Sequence, residues 1–290
     1  MRPGCTKIAA IHDLSGLGRV SLTVAIPVLS TMGFQVCPLP TAVLSSNTEM
    51  AGFKLLDLSE QMLQFIEHWK AMEVDFIAIY SGFLGSPAQI SIVSDFIDHF
   101  ARHGQLVVVD PVLGDDGSLY DSVGSEMVAG MKQLIKKAVV ITPNLTEACA
   151  LLDQKYDERI PENELKEILK LLCQQGPEIA IITNVLKSHD ARATFVYAYN
   201  SNSKKFWKVP CDYVPAHFPG TGDTFTSIVT GSLLQGDSLP IALDRAVQFI
   251  STAVRTTYGY DTDPRQGIML EKVISNLNAS FIPGNFELVE

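Results

Sequence analysis

Two glycines and a carboxylate lie together at the start of a predicted helix, in the segment Pro219-Gly220-Thr221-Gly222-Asp223-Thr224-Phe225. Glycine permits the positive φ angles that let successive backbone N–H groups point at one anion. Apolar residues follow at helical spacing, so these N–H groups lie at a helix N-terminus, where the helix dipole also favours negative charge. Asp223 would repel a bound phosphate, so a carboxylate at this position indicates a chemical role, such as accepting the proton of an attacking alcohol. The segment therefore predicts phosphoryl transfer.

The same segment has a structural alternative. Thr221 or Asp223 caps the helix in that interpretation, and the two glycines only form the turn. Ser, Thr and Asp are the ordinary N-cap residues, so this turn taken alone favours the structural alternative. Other motifs have to decide between the two.

Carboxylates also follow a predicted strand in the next informative segment. Asp110 comes directly after the apolar run 106–109, and Asp115 lies in the glycine-containing loop that follows. Carboxylates at such positions can hold Mg²⁺, directly or through water, against nucleotide phosphates. The structural alternative for Asp110 is a turn that ends the strand before Pro111.

A third polar segment, Thr142-Pro143-Asn144-Leu145-Thr146-Glu147, ends another predicted strand and opens a helix. With Asn144 as N-cap and Glu147 three residues later, the segment fits a capping box, which explains the spacing fully. The functional interpretation adds an amide and a carboxylate that organise metal-bound water at the strand ends.

The segment after the first predicted strand includes Gly16-Leu17-Gly18, which begins like a dinucleotide-binding fingerprint but lacks the third glycine. A dinucleotide-dependent oxidoreductase is therefore a weak alternative. We expect instead a loop that admits a small polar substrate. Asp13 is predicted at the strand tip as a hydrogen-bonding side chain, and His12 is predicted to be structural.

Short β-rich runs alternate with longer amphipathic runs along the chain, the pattern of a parallel sheet with crossover helices. The predicted strands are 7–11, 34–38, 76–80, 106–109, 139–142 and 179–183. The predicted helices are 20–32, 58–72, 88–103, 124–137, 162–175, 221–235 and 241–257. In such α/β sheets, ligands bind at the carboxyl ends of the parallel strands.

The pattern changes after residue 183. Alternating β-like segments at 193–199 and 205–209 flank the turn-prone Asn200-Ser201-Asn202-Ser203, which predicts an antiparallel hairpin. No break in composition marks a second domain, so we expect residues 1–290 to form one domain.

Composition excludes several classes of protein. The chain has 290 residues, 47% of them hydrophobic, with a formal net charge of −10, which argues against a surface for nucleic acid or anionic membrane. Its five cysteines show no C-x-x-C spacing, and neither a hydrolase G-x-S-x-G nor a P-loop motif occurs. We expect a cytoplasmic protein, since no signal segment or membrane span is predicted.

Taken together and in order, the three polar segments resemble the ribokinase superfamily, and in particular its vitamin B6 kinases. The resemblance spans about residues 7 to 260. Asp110-Pro111-Val112-Leu113-Gly114-Asp115 and Ser45-Ser46-Asn47-Thr48 are similar to segments of pyridoxal kinases, and Ser81-Gly82-Phe83 is similar to a segment on their substrate side. The implied fold is an α/β, mostly parallel central sheet flanked by helices, with a small β edge near the substrate site.

The resemblance implies ATP-dependent phosphorylation of the 5′-hydroxymethyl group of pyridoxal, pyridoxamine or pyridoxine. Asp223 would be the general base, and the N–H groups of Gly220, Thr221 and Gly222 would form the anion hole. This agrees with in-line transfer, which needs a base on the alcohol side and cationic or dipolar groups on the leaving side.

The resemblance also implies the remaining site residues and partners. The ATP side would contain Asp110, Asp115, Asn144, Glu147 and Thr183, with Asp110, Asp115 and Glu147 toward Mg²⁺. The substrate ring would lie among Asp13, Thr48 and Phe83, next to Asp223. A monovalent cation such as K⁺ is a further candidate cofactor, and relatives of this kind are homodimers.

Two departures from the pyridoxal kinase pattern bear on the substrate. Asp13 stands where Ser is common, and Phe83 lacks the usual tyrosine hydroxyl. Hydroxymethylpyrimidine kinases are the near alternative, because they share the fold, the base and a segment like Thr41-Ala42-Val43. A ribokinase-fold protein that binds a ligand without catalysis is an alternative of another class.

Overall fold

The computed structural model describes residues 6–187, 190–212 and 214–289. Its strands are β1 (Lys7–Ser15), β2 (Gln35–Leu44), β3 (Leu55–Asp57), β4 (Ala78–Ser81), β5 (Leu106–Val109), β6 (Gly114–Asp115), β7 (Ser118–Leu119), β8 (Val140–Ile141), β9 (Ile179–Lys187), β10 (Asp190–Asn200), β11 (Lys205–Asp212) and β12 (Glu287–Val289). Its α-helices are α1 (Leu22–Thr31), α2 (Ser59–Ala71), α3 (Pro87–Phe100), α4 (Ser125–Leu134), α5 (Leu145–Leu151), α6 (Glu162–Gln174), α7 (Thr221–Leu234), α8 (Leu239–Tyr258) and α9 (Leu270–Val273).

Within these described ranges, ten strands form one sheet in the order β12-β11-β10-β9-β8-β5-β4-β1-β2-β3. The six strands from β9 to β2 pair in parallel, while β3 and the segment β10 to β12 pair antiparallel at the two edges. The fold is thus α/β with a mostly parallel sheet, as predicted. The hairpin predicted after residue 183 is also confirmed, as β10 and β11.

The sheet is covered by helices on both faces because its strands are apolar on both. In β5, Val107 and Val109 pack on the side of α2 to α6, whereas Val108 packs on the side of α1, α7 and α8. All three side chains are buried. Burial on both faces explains why these strands read as continuous Val-rich and Ile-rich runs instead of alternating with polar residues.

The strand ends differ from the sequence-based expectation. β1, β2 and β9 run four to six residues beyond the predicted ends at 11, 38 and 183. Polar residues continue these strands where the neighbouring strand still offers hydrogen bonds, as in the pairing of Ser15 with Leu44. The short strands β3, β6, β7 and β12 and the helix α9 were not predicted. No helix among the described residues is long and apolar enough to cross a membrane.

Candidate active site

The carboxyl ends of the central strands bring the predicted polar residues to one edge of the sheet. β1 pairs with β4 at Ile11 and Ser81, and Ser81 pairs in turn with Val109 of β5. Asp110 then donates its backbone N–H to the Ser81 carbonyl, at 2.8 Å. This register aligns the residues after β4 and β5 with the second half of β1, where Asp13 lies.

The glycine-containing turn begins α7 as predicted, but no side chain caps the helix. Gly220 is the N-cap residue, with φ of +81°. A Cβ at this position would overlap the carbonyl oxygen of Arg19, so only glycine fits both the angle and the space. Thr221 donates instead to the Phe218 carbonyl, at 3.1 Å, and Asp223 accepts from the backbone of another segment. The capping alternative for Thr221 and Asp223 is therefore wrong.

Asp223 lies in the first turn of α7 and faces the start of α1. Its Oδ2 accepts a hydrogen bond from the backbone N–H of Ser21, at 2.8 Å. Burial raises the pKa of Asp223 to about 6, against the lowering effect of the Ser21 hydrogen bond and with a further raising effect from the Asp13 charge. The side chain remains 14% exposed, so a substrate hydroxyl can reach it. A partly exposed carboxylate with a pKa near neutrality suits a general base.

Asp13 lies within β1, two residues before its end, and not at the strand tip as predicted. The side chain is buried and accepts a hydrogen bond from the Ser15 hydroxyl, at 3.1 Å. Burial raises the pKa of the Asp13 carboxyl, and hydrogen bonds from Ser21 and Ser15 lower it. Asp13 is thus an acidic neighbour of Asp223 on the side of β1.

Asp110 lies directly after β5, as predicted, in a buried polar network. Thr226 of α7 donates to the Thr142 hydroxyl at 3.0 Å, and Thr142 donates to Asp110 Oδ1 at 3.1 Å. Burial raises the pKa of Asp110 to about 8, with a further contribution from the charge of Asp223. Burial therefore favours the neutral form of the Asp110 carboxyl unless a cation offsets its charge.

Asn144 and Glu147 form the capping box that the sequence allows. The Asn144 side chain accepts from the Glu147 N–H at 2.9 Å, and Glu147 Oε2 accepts from the Asn144 N–H at 2.8 Å. Glu147 Oε1 also accepts from the N–H of Leu113, which ties α5 to the loop after β5. Burial and the charge of Asp110 raise the pKa of Glu147 well above its usual range. The structural role is confirmed, and a role toward a metal stays a prediction.

The remaining predicted residues lie around this edge. Asp115, in β6, is half-buried, and its Oδ1 lies 3.5 Å from Nδ2 of the Asn144 side chain. Thr183 lies inside β9 and pairs with Asn144 in an isolated parallel bridge, so it is not at its strand's end. Phe83 is half-buried after β4, and Thr48 is exposed in the segment between β2 and β3. Their contacts with ligands stay predictions.

Tyr80 and His12, which the sequence did not assign to the site, lie next to Asp223. Tyr80 of β4 is fully buried, and its hydroxyl lies 3.5 Å from the Asp223 carbonyl. His12 is also fully buried, and its Nδ1 lies 3.9 Å from Asp223 Oδ1. The sequence signal for both was weak, since neither residue belongs to a recognisable motif and both lie within buried strands.

The carboxylates at this edge of the sheet are candidate ligands of a magnesium ion. In the described ranges, no group of three or more His, Cys, Asp or Glu side chains is placed to hold a metal directly. Asp110 and Glu147 are nevertheless two buried carboxylates, and the charge of Asp110 raises the pKa of Glu147. Mg²⁺ keeps several waters and binds proteins through one or two carboxylates plus substrate phosphates, so these residues fit such an ion.

Asp110→Asn is expected to raise the melting temperature of the metal-free protein at pH 8. The pKa of Asp110 is higher in the folded chain than in the unfolded chain, where it is about 3.9. Ionised Asp110 therefore lowers the free energy of unfolding, by an amount that grows as pH rises from about 4 to about 8. The gain should vanish below about pH 3, where the Asp110 carboxyl is neutral in both the folded and the unfolded chain. Thermal unfolding measured across this pH range checks the sign.

The same variant should lose kcat/KM for MgATP by about tenfold or more, because it removes charge that the cation would offset. Glu147→Gln should also lose kcat/KM, but its single oxygen can accept from only one of the Asn144 and Leu113 N–H groups, so its melting temperature is measured alongside. Asp116→Asn is the matched control, an exposed acid in the same loop. If Asp110→Asn and Glu147→Gln keep the parent's Mg²⁺ dependence, both residues are structural only.

The Gly220 turn, the adjacent Asp223 carboxylate and the buried acids at the end of a parallel sheet fit the class of ribokinase-like small-molecule kinases. A sequence profile of the phosphomethylpyrimidine kinase family matches residues 25–267. A Bacteroides thetaiotaomicron protein assigned to the phosphomethylpyrimidine kinases and solved with pyridoxal is 58% identical (98% of this chain and 100% of that chain covered, TM-score 0.96). Lactobacillus plantarum pyridoxal kinase is 33% identical (94% and 96% covered, TM-score 0.86).

A pyridoxal kinase of Arabidopsis thaliana is 26% identical over 268 residues, which cover 88% of this chain and 85% of the plant protein. The chain belongs to the phosphomethylpyrimidine kinase family, within the ribokinase-like group that includes the pyridoxal kinases.

Proposed function

We propose that this protein is a pyridoxal kinase that transfers the γ-phosphoryl group of ATP to the 5′-hydroxymethyl group of pyridoxal, pyridoxamine or pyridoxine. The single observation that most supports this reaction is Asp223, a partly exposed carboxylate in the first turn of α7, next to the Gly220 turn. The vitamin B6 substrate is supported by the 33% identical pyridoxal kinase and by the 58% identical protein solved with pyridoxal.

In the proposed reaction, Asp223 accepts the proton of the substrate hydroxyl as its oxygen attacks the γ-phosphorus. The bond from that phosphorus to the bridging oxygen of ATP breaks, and ADP leaves. The N–H groups of Gly220, Thr221 and Gly222 lie at the N-terminus of α7, where they stabilise the charge on the transferring group.

ATP, Mg²⁺ and a monovalent cation such as K⁺ are the proposed cofactors. When bound, Mg²⁺ would neutralise charge on the phosphates. Asp110, Asp115 and Glu147 are proposed on the metal side, with Asn144 and Thr183 near the phosphates. Asn144 and Thr183 lie side by side because their backbones pair, which supports the proposal that both contact the ATP phosphates.

We also propose a cytoplasmic homodimer, joined at the edge formed by β3. Leu55 and Leu56 on this strand are 47% and 63% exposed, and Phe53 just before it is 36% exposed. Exposed apolar residues concentrated on an edge strand are typical of a covered surface. Light scattering after gel filtration gives the mass: about twice that of the chain supports the dimer, and the mass of one chain refutes it.

Hydroxymethylpyrimidine kinase is the second candidate, favoured by the family profile and by the assignment of the Bacteroides relative. Initial rates of ADP release with each B6 vitamer and with hydroxymethylpyrimidine discriminate the candidates. A kcat/KM that is highest for a B6 vitamer supports the proposal, and activity on hydroxymethylpyrimidine alone replaces it. No turnover with any of them would support a ligand-binding protein.

Asp13→Ser is expected to reduce the preference for pyridoxamine over pyridoxine. A buried carboxylate beside the base interacts better with a cationic amine than with an alcohol, by about 1 kcal/mol or roughly fivefold in the ratio of kcat/KM. Ser15→Ala is the control, because it removes the hydroxyl that donates to Asp13 but keeps the charge. If the ratio of kcat/KM for pyridoxamine to that for pyridoxine is the same in the parent and in Asp13→Ser, Asp13 does not determine the preference between them.

A further inference from the structure

Packing alone does not explain the position of His12, a buried polar side chain. Its ring is fully buried in β1, and neither nitrogen has a hydrogen-bond partner among the described residues. A buried polar group without a partner is unfavourable, so an apolar side chain would fill this place better if filling it were the only requirement. The unpaired nitrogens therefore point to a contact that forms in another state of the protein.

The ring is held against rotation by its neighbours in the sheet. Tyr80 of β4 packs against it edge-on, with 4.3 Å between ring centroids. Gly82 lies against the ring edge that carries Nδ1 and Cε1, where a Cβ would overlap both atoms. In this position Nδ1 lies 3.9 Å from Asp223 Oδ1.

Within the part of the chain that the structure describes, the Asp223 carboxylate accepts a hydrogen bond on one of its two oxygens. Oδ2 accepts from the Ser21 N–H at 2.8 Å, whereas Oδ1 has His12 Nδ1 as its neighbour beyond hydrogen-bond range. Catalytic hydrogen bonds are often long in the free enzyme and shorten when substrate binds. A movement of about 1 Å would bring the Nδ1–Oδ1 pair to the usual 2.7–3.2 Å.

We propose that His12 is a positioning residue: its neutral imidazole donates a hydrogen bond from Nδ1 to Asp223 Oδ1 in the substrate complex and fixes the orientation of the carboxylate. The ring stays neutral because burial lowers the pKa of His12 to about 3, so the contact is a hydrogen bond and not an ion pair. With Ser21 on one oxygen and His12 on the other, the carboxylate is held in one orientation and presents its remaining lone pairs to the alcohol. This inference rests on the proposed function of Asp223.

Three variants separate positioning from packing. His12→Asn places an amide nitrogen close to the position of Nδ1 and should keep kcat within about threefold of the parent. His12→Leu fills similar space without a donor and should lower kcat about tenfold with little change in KM, the size expected for one hydrogen bond. Gly82→Ala, which displaces the ring, should resemble His12→Leu. Equal kcat values for His12→Asn and His12→Leu would overturn the proposal.

A spectroscopic measurement tests the contact without any turnover. ¹⁵N chemical shifts of the imidazole at pH 8, assigned by their loss in His12→Asn, should show a neutral ring with the proton on Nδ1. A proton on Nε2 would leave a lone pair facing the carboxylate and would overturn the proposal. If the parent phosphorylates no vitamer, the proposed function fails, while the tautomer still decides the assignment of His12.

Discussion

Replacing Asp223 with Asn is expected to lower kcat for the preferred B6 vitamer by about 100-fold or more, as the loss of a general base does. The change is nearly isosteric and keeps an oxygen that can accept from the Ser21 N–H. Binding of ATP and vitamer should therefore remain largely intact. Steady-state rates and ligand titrations of the two proteins give the comparison.

The pH profile gives this prediction a second measurement. Because the pKa of Asp223 is about 6 and the base must be ionised, kcat/KM of the parent should fall as pH drops below about 6. The residual activity of Asp223→Asn should lack that decline. Asp98→Asn, the same chemical change at an exposed site on α3, is the control. Near-normal turnover in Asp223→Asn would show that Asp223 is not the base.

Gly220→Ala is expected to lower both stability and activity, whereas Gly222→Ala should leave stability unchanged or raise it. A non-glycine residue at φ of +81° loses about 1–2 kcal/mol, before the overlap with the Arg19 carbonyl is counted. Gly222 lies in the helix with no atom within 4 Å of a Cβ, and Ala is a better helix former by about 1 kcal/mol.

The activity of Gly220→Ala should fall by about tenfold or more in kcat/KM, because the turn sets the direction of the N–H groups at the start of α7. Thermal unfolding of both glycine variants, followed by rates at a temperature where each is folded, separates stability from catalysis. Wild-type stability in Gly220→Ala would mean that the turn adjusts to a side chain and that its geometry is not required.

The central strands were predictable because local residues determine them. The run 106–109 is apolar on both faces, and burial between two helical layers requires that pattern. The ends of β1 and β9 were not predictable, since the polar residues Asp13, Ser15 and Thr183 continue strands through pairing with neighbours distant in sequence. Strand ends that depend on tertiary pairing leave no local signal.

The candidate site was predictable to the extent that its residues follow parallel strands or begin helices. Asp110 and the Gly220 turn are of this kind. The proposed role of His12 was not predictable, because it depends on Asp223. That residue is more than 200 positions away and comes near His12 only in the folded chain. Ser21 was equally hidden, since its φ of +52° and its bond to Asp223 arise from the packing of α1 against α7.

The proposed reaction is tested most directly by identifying its product. The protein, ATP, Mg²⁺ and pyridoxal are incubated together, and ³¹P NMR and mass spectrometry follow the phosphate, with Asp223→Asn as the blank. The expected products are pyridoxal 5′-phosphate and ADP in equal amounts, with the phosphate on the 5′-oxygen and an initial rate of formation about 100-fold lower in the blank. Release of inorganic phosphate without phosphorylated pyridoxal, or equal product in the blank, would contradict it.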